Sequence, residues 1–150
     1  MYNNEKMEKS ILLIDDCSIN LFIAGMIIKD HGFFETISTY TSAQEALNFL
    51  IANNRIRKNL PEVILLDINM PGMNGWQFLD QYEEKLPSLI DQIDIFILSS
   101  SLDDRDFQRS KTYLSIKQFL TKPLEVHTIE NIIIGTRHAA RAKDIMASLK

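Results

Sequence analysis

A chain of 150 residues with a net charge of -4, 24% charged and 45% hydrophobic, has the length of one domain and the composition of an ordinary folded protein. The acidic balance gives no footing for nucleic-acid binding, and the single cysteine, Cys17, excludes an internal disulfide. No apolar run is long enough to cross a bilayer, and the polar start lacks the apolar core of a signal peptide, so a cytoplasmic protein without membrane or nucleic-acid partners is expected.

Residues 1–9 read as a short polar tail, and 10–150 as a single domain. Ser10 to Ile14 is a short apolar run, too brief for a helix, and reads as a first strand. It ends in Asp15-Asp16. A helix from about Ile19 to Asp30 follows, with Ser18 as candidate N-cap and Gly32 as its stop. Phe33 to Thr39 is rich in β-branched and aromatic residues and reads as a second strand. Ser42 with Glu45 three residues on is a capping-box pattern. It opens a helix to about Asn53, with Ala46, Leu47, Leu50 and Ile51 on its core face.

After the polar stretch Asn54 to Asn59, Glu62 to Leu66 reads as a third strand and ends in Asp67. Pro71, Gly72 and Gly75 break the chain before a helix from near Asn74 to Leu86-Pro87. Ser88 to Gln92 connects to a fourth strand, Ile93 to Leu98, which ends in Ser99-Ser100. A short polar helix is expected near Asp103 to Thr112. Lys117 to Thr121 is the fifth strand, followed by Lys122-Pro123. The last helix starts near Val126, with Ile129, Ile132, Ile133 and Ile134 as its core face, and is expected to run almost to the end.

Strands alternating with helices imply a parallel sheet covered on both faces, joined by right-handed crossovers. The expected architecture is α/β, a flavodoxin-like doubly wound five-stranded sheet of order 2-1-3-4-5 with five helices. In such a sheet the carboxyl ends of the strands form the ligand edge. Asp15, Asp16, Asp67, a serine hydroxyl and Lys122 all fall there.

Two adjacent carboxylates repel unless a cation lies between them, and Mg2+ takes one or two carboxylates while keeping several waters. Alone, the pair would read as a solvated turn. Asp67 at a strand end can attack a phosphoryl group to give an acyl phosphate, given a metal to neutralise both anions. It lies too far ahead of its helix to be a cap. The Asn69 carbonyl, two residues on, is a further candidate metal ligand. A hydroxyl at the end of the fourth strand can donate to a phosphoryl oxygen. The buried run favours Ser99, while counting back from Lys122 favours Ser100. Lys122 is a point charge suited to phosphate, and the Lys122–Pro123 bond is a candidate for cis.

The acidic pair, the segment Asp67-x-x-Met-Pro-x-Met-x-Gly, the fourth-strand hydroxyl and Lys122-Pro123 occur in order across Ser10 to about Ile134. In this the chain resembles the receiver domain of bacterial two-component response regulators. The resemblance implies that Asp67 accepts a phosphoryl group from a phosphohistidine of a sensor histidine kinase or histidine phosphotransfer protein. It implies Mg2+ held by Asp15, Asp16, Asp67 and the Asn69 carbonyl, with Lys122 pairing the phosphoryl group. Ser99 would bind that group and move together with Phe119, the switch aromatic, altering the face made by helix four, strand five and helix five. A stand-alone receiver would then signal by protein contact or phosphorelay rather than as a free-standing enzyme, with homodimerisation left open.

Two departures stand out. Ser99-Ser100-Ser101 replaces the usual hydroxyl-then-alanine, and Ser110 to Ile116 lacks the family's Gly-Ala pair before the fifth strand. Two other function classes compete with this one. A phosphatase of the haloacid dehalogenase type would resemble Asp-x-Asp at the nucleophile, but Asn69 removes the second acid. A binding module with vestigial switching is disfavoured by the complete acid, hydroxyl and lysine set. His31, His127 and His138 lack metal-ligand spacing. Cys17 reads as a small filler, Trp76 as local packing, and Arg137, Arg141 and Lys143 as a solvated basic helix face.

Overall fold

The computed structural model describes residues 9–136. Five strands run in chain order, β1 (Ser10–Ile14), β2 (Thr36–Tyr40), β3 (Val63–Leu66), β4 (Asp94–Ser99) and β5 (Ile116–Thr121). They form one parallel sheet of order β2-β1-β3-β4-β5. Among the described residues five α-helices alternate with them: α1 (Ser18–His31), α2 (Ala43–Ala52), α3 (Gly75–Lys85), α4 (Asp104–Ser110) and α5 (Val126–Gly135). This is the doubly wound arrangement expected. Single 3-10 turns at Arg57–Asn59 and Pro87–Leu89 fill the longer connections.

The central strands are buried on both faces, so they read as unbroken apolar runs. Alternate side chains nonetheless serve opposite cores. Leu12, Ile14, Ile64, Leu66, Ile95 and Ile97 pack with α2 and α3. Ile11, Leu13, Val63, Leu65, Phe96 and Leu98 pack with residues of α1 and α5. The register sets Ile14 beside Leu66, Leu66 beside Ile97, and Ser99 beside Thr121. Asp15, Asp67 and Lys122, each one residue past these positions, therefore emerge at one edge.

Several boundaries differ from expectation for physical reasons. Ser18 is inside α1. Cys17 holds the cap position, and its N–H donates to Asp15 Oδ1 at 2.9 Å. Gly32 ends α1 as expected, at φ 84, with its N–H on the Ile28 carbonyl. β2 begins three residues later than the aromatic pair suggested. Phe33 and Phe34 pack edge to face at 5.0 Å, and pairing starts only where the Glu35 and Thr36 N–H groups donate to the Lys9 carbonyl. Ser42 caps α2 by accepting from the Glu45 N–H. Asn74 caps α3 in a full capping box with Gln77. Ile51 and Ile134, expected on core faces, are exposed. The remainder of the expected last helix lies outside the described residues, as do most of the polar tail, Arg137, His138, Arg141 and Lys143.

α1 is apolar on more sides than the core covers. Leu21 and Ile28 are buried, while Ile19, Phe22, Ile23 and Met26 face solvent. No described helix is long and apolar enough to cross a membrane.

Candidate functional site at the carboxyl edge of the sheet

Backbone hydrogen bonds hold the strand ends together before any side chain contributes. The Asp67 N–H donates to the Ile14 carbonyl at 2.9 Å, the Asp15 N–H to Tyr40, and the Lys122 N–H to the Ser99 carbonyl at 2.8 Å. Asp15 and Asp67 are thus held side by side at 8% and 7% exposure, while Asp16 projects into solvent. Carboxylate oxygens of Asp15, Asp16 and Asp67 lie within 4.8 Å of one another.

Lys122 joins the acids. Its Nζ donates to Asp15 Oδ2 at 2.8 Å and to Asp67 Oδ2 at 3.4 Å. Asp15 Oδ1 is occupied by the Cys17 N–H, and Asp67 Oδ1 accepts from the Asn69 N–H at 3.3 Å. Burial raises the Asp67 carboxyl above its ordinary 3.8. The Asp15 charge adds to the rise, and the opposing pull of Lys122 and the Asn69 N–H does not cancel it. For Lys122, burial works to lower the ammonium, but the Asp15 hydrogen bond and the charges of Asp67 and Asp15 outweigh it and hold it above 10.5. A carboxylate trio of hard oxygen donors suits Mg2+ rather than a softer ion. The excess negative charge over one lysine gives a cation a reason to bind there.

The turn after β3 needs its glycine for space. Gly75 donates its N–H to the Ile68 carbonyl at 2.9 Å. A Cβ there would meet the Asp67 carbonyl oxygen at 2.6 Å and Ile68 Cα at 2.7 Å. Gly72, at φ 72, supplies the left-handed turn. Together they fold the loop from Asp67 to α3 back against the strand end, with Asn69 exposed upon it. The Lys122–Pro123 peptide is cis.

Ser99 is the last residue of β4 and is fully buried, whereas Ser100 is exposed. Ser99 Oγ accepts the Ser101 N–H at 3.0 Å. The acids' own hydrogen bonds go to Lys122, Cys17 and Asn69 instead. Phe119 is half-buried on β5 and meets Phe107 of α4 edge to face, centroids 6.2 Å apart at 88°. An apolar cavity of about 400 Å3, lined by Leu21, Ala24, Leu98 and Leu124, reaches Asp15, Asp67 and Lys122 from the α1 side.

Sequence reasoning did not find what replaces the missing Gly-Ala pair. Tyr113 stacks on Trp76 at 5.6 Å and donates its hydroxyl to Asp80 at 2.6 Å. Glu83 accepts from the Leu114 and Ser115 N–H groups. Arg109 lies 4.8 Å over the Trp76 ring. The segment after α4 is therefore pinned to α3 by side chains far away in sequence. It also missed Ser101, whose signal was a hydroxyl two residues ahead of the α4 cap, Asp103. Cys17 is a partly exposed free thiol at the α1 cap, and His127 is exposed and pairs with Glu125 at 3.1 Å.

The model for the response regulator receiver domain matches residues 11–134. An uncharacterised response regulatory protein of Staphylococcus epidermidis is 30% identical over 127 residues, covering 85% of this chain and 45% of that protein. The chain thus spans less than half of that relative. The crystal structure of a two-component response regulator from Cytophaga hutchinsonii superposes with a TM-score of 0.74 at 34% identity, covering 82% of this chain and 92% of that one. A response regulator receiver protein from Dyadobacter fermentans does so with a TM-score of 0.72 at 28% identity, covering 83% and 94%. By that match over residues 11–134, with Asp15, Asp16, Asp67 and Lys122 gathered at one sheet edge, the chain belongs to the response regulator receiver domain family.

Proposed function

We propose that Asp67 accepts a phosphoryl group from the phosphohistidine of a sensor histidine kinase or a histidine phosphotransfer protein. Receiver domains of this family act as phosphoacceptor signalling modules rather than as free-standing enzymes. The observation that carries the reading is the close approach of the Asp15, Asp16 and Asp67 oxygens with Lys122 on two of them.

In the proposed reaction an Asp67 oxygen attacks phosphorus, the phosphorus–nitrogen bond breaks, and the imidazole leaves with its electron pair. Asp15, Asp16, Asp67 and the Asn69 carbonyl would hold Mg2+, which would supply neutralisation of the two anionic partners. Lys122 gives up part of its contact with the acids and pairs with a phosphoryl oxygen. Ser99 donates its hydroxyl to another. The burial of Ser99 at the strand end beside Lys122, against the exposure of Ser100, favours Ser99 for that role. Hydrolysis returns the carboxylate: water attacks phosphorus, the bond from phosphorus to the Asp67 oxygen breaks, the carboxylate leaves with the electron pair, and inorganic phosphate departs as the water gives up a proton to solvent.

Ile19, Phe22, Ile23 and Met26 of α1 are exposed at helical spacing, and Ile23 among them lines the cavity that reaches the site. A contiguous apolar patch beside a reactive group fits a protein donor better than a small one. The output surface of this reading is α4, β5 and α5, with Phe119 as the aromatic that follows Ser99. The domain occupies 10–150 in this reading, works in the cytoplasm, and passes its signal by protein contact or phosphorelay.

The test is intact mass after incubation with acetyl phosphate and Mg2+. The chain is expected to gain one phosphoryl group, and Asp67→Asn or omission of the metal to abolish the gain. A gain that survives Asp67→Asn would move the acceptor elsewhere and sink the proposal.

A further inference from the structure

We infer that Ser101 is a positioning residue that ties the Ser99 hydroxyl and the first turn of α4 into one hydrogen-bonded unit. The inference rests on the proposed role of Ser99 toward a phosphoryl group on Asp67, and extends it to how that event reaches α4.

Ser101 makes three bonds in two directions. Its N–H donates to Ser99 Oγ at 3.0 Å. Its hydroxyl donates to Asp106 Oδ2 at 2.6 Å and accepts the Asp103 N–H at 3.2 Å. The N–H bond takes a lone pair of Ser99 Oγ and leaves its proton free for an anion. The Asp106 bond is short and charge-assisted, the stronger class of hydrogen bond. Ser99 itself is fully buried, and its carbonyl is fixed by the Lys122 N–H. Its hydroxyl cannot shift toward Asp67 without changing the bond to Ser101.

Plain helix capping does not account for the arrangement. Asp103 already caps α4 by accepting the Arg105 N–H at 2.9 Å. In a capping box the acid three residues on, here Asp106, would reach back to the Asp103 N–H. Ser101 stands between those two partners and takes both bonds. The third serine of Ser99-Ser100-Ser101 thereby gains a function that alanine or glycine at that position would lack.

The same unit extends into the switch surface. One residue past Asp106, Phe107 rests edge-on against Phe119. Arg109 lies over Trp76, and Tyr113 stacks on it. Trp76 is the single tryptophan, so its fluorescence reports where α4 and the segment after it sit.

The experiment compares the wild-type chain, Ser101→Ala and Ser101→Thr with acetyl phosphate and Mg2+. Trp76 emission and intact mass are read on the same samples, so that emission change is expressed per phosphorylated molecule. Hydrogen exchange of the α4 amides is measured on the unphosphorylated chains. Ser101→Ala, which loses both hydroxyl bonds, is expected to cut the emission change per phosphorylated molecule about threefold or more and to speed α4 exchange about tenfold or more, since one hydrogen bond alone is worth about that. Ser101→Thr, which keeps the hydroxyl, is expected to restore both. An emission change of wild-type size in Ser101→Ala, none in the phosphorylated wild type, or no rescue by threonine would overturn the inference. If no chain takes up phosphate, what fails is uptake from this small donor, not the tie: unchanged α4 exchange in Ser101→Ala overturns the tie, and faster exchange upholds it.

Discussion

At the scale of single residues, the site is governed by space and desolvation. Gly75 is required because backbone atoms, not a movable side chain, occupy the place of its Cβ. Gly75→Ala is expected to destabilise the chain by about 2 kcal/mol, read as a lower urea midpoint at unchanged slope. A change within about 0.5 kcal/mol would mean the turn relaxes freely. Asp67 carries a cost of a different kind. Burial, then Asp15, raise its carboxyl despite Lys122, so the folded chain holds a proton there more tightly than the unfolded chain. The linked stability is fully present below 3.8 and is lost as pH rises through the raised folded value. Without metal, Asp67→Asn is therefore expected to be more stable than the wild type near neutral pH. That advantage shrinks to nothing on acidification below 3.8, and thermal unfolding of the pair across pH checks it. Asp67 was legible in the sequence because an apolar run stops on it. The need for Gly75 was legible only as a turn, since the atoms it must avoid, though near in sequence, approach only once the loop folds back.

At the scale of elements, α4 and the segment after it are the least determined by local pattern. α4 is seven residues long and polar, too short to hold itself together in water. It is held by Ser101, by Phe107 on Phe119, and by the contacts of Tyr113 and Leu114 with Asp80 and Glu83 of α3. Tyr113→Phe removes a hydrogen bond to an exposed carboxylate that water can solvate again, so a loss of about 1 kcal/mol is expected. Burial, then the Asp80 hydrogen bond, raise the Tyr113 phenol above 10.0. Its linked stability is complete below 10.0 and is lost as pH rises from there through the folded value. Tyr113→Phe should lack that alkaline loss, and urea midpoints on either side of 10 measure the difference. The same scale explains the shifted start of β2. Aromatic residues raise strand propensity wherever they stand, but Phe34 is spent on the core beneath the α1–β2 connection, and propensity alone does not distinguish the two uses.

At the scale of the whole molecule, three acids and a lysine from three separate strand ends create a site none of them has alone. The acids outnumber the lysine, so Mg2+ is expected to stabilise the folded chain by mass action, about 2.7 kcal/mol at a hundredfold excess over its dissociation constant. Thermal unfolding should shift upward by several degrees and return with chelator. Asp16→Asn should weaken the shift, and an undiminished shift would remove Asp16 from the metal set. Sequence alone determined the strand and helix alternation, the sheet order and the edge on which the polar residues gather. Apolar runs of strand length, each closed by a charged or hydroxyl residue, carry that information locally, and parallel connections leave few ways to assemble them. Tertiary structure alone decided that Ser99 is buried and Ser100 exposed, because burial depends on the β4–β5 register. It also decided the exposure of Ile51 and Ile134, because helical spacing marks an apolar face without marking how far the core covers it. The hydrogen bonds of Ser101 and the Trp76–Tyr113 stack were decided there too: their partners are set by how the chain folds back on itself, across turns and between elements far apart in sequence, where no periodicity reaches.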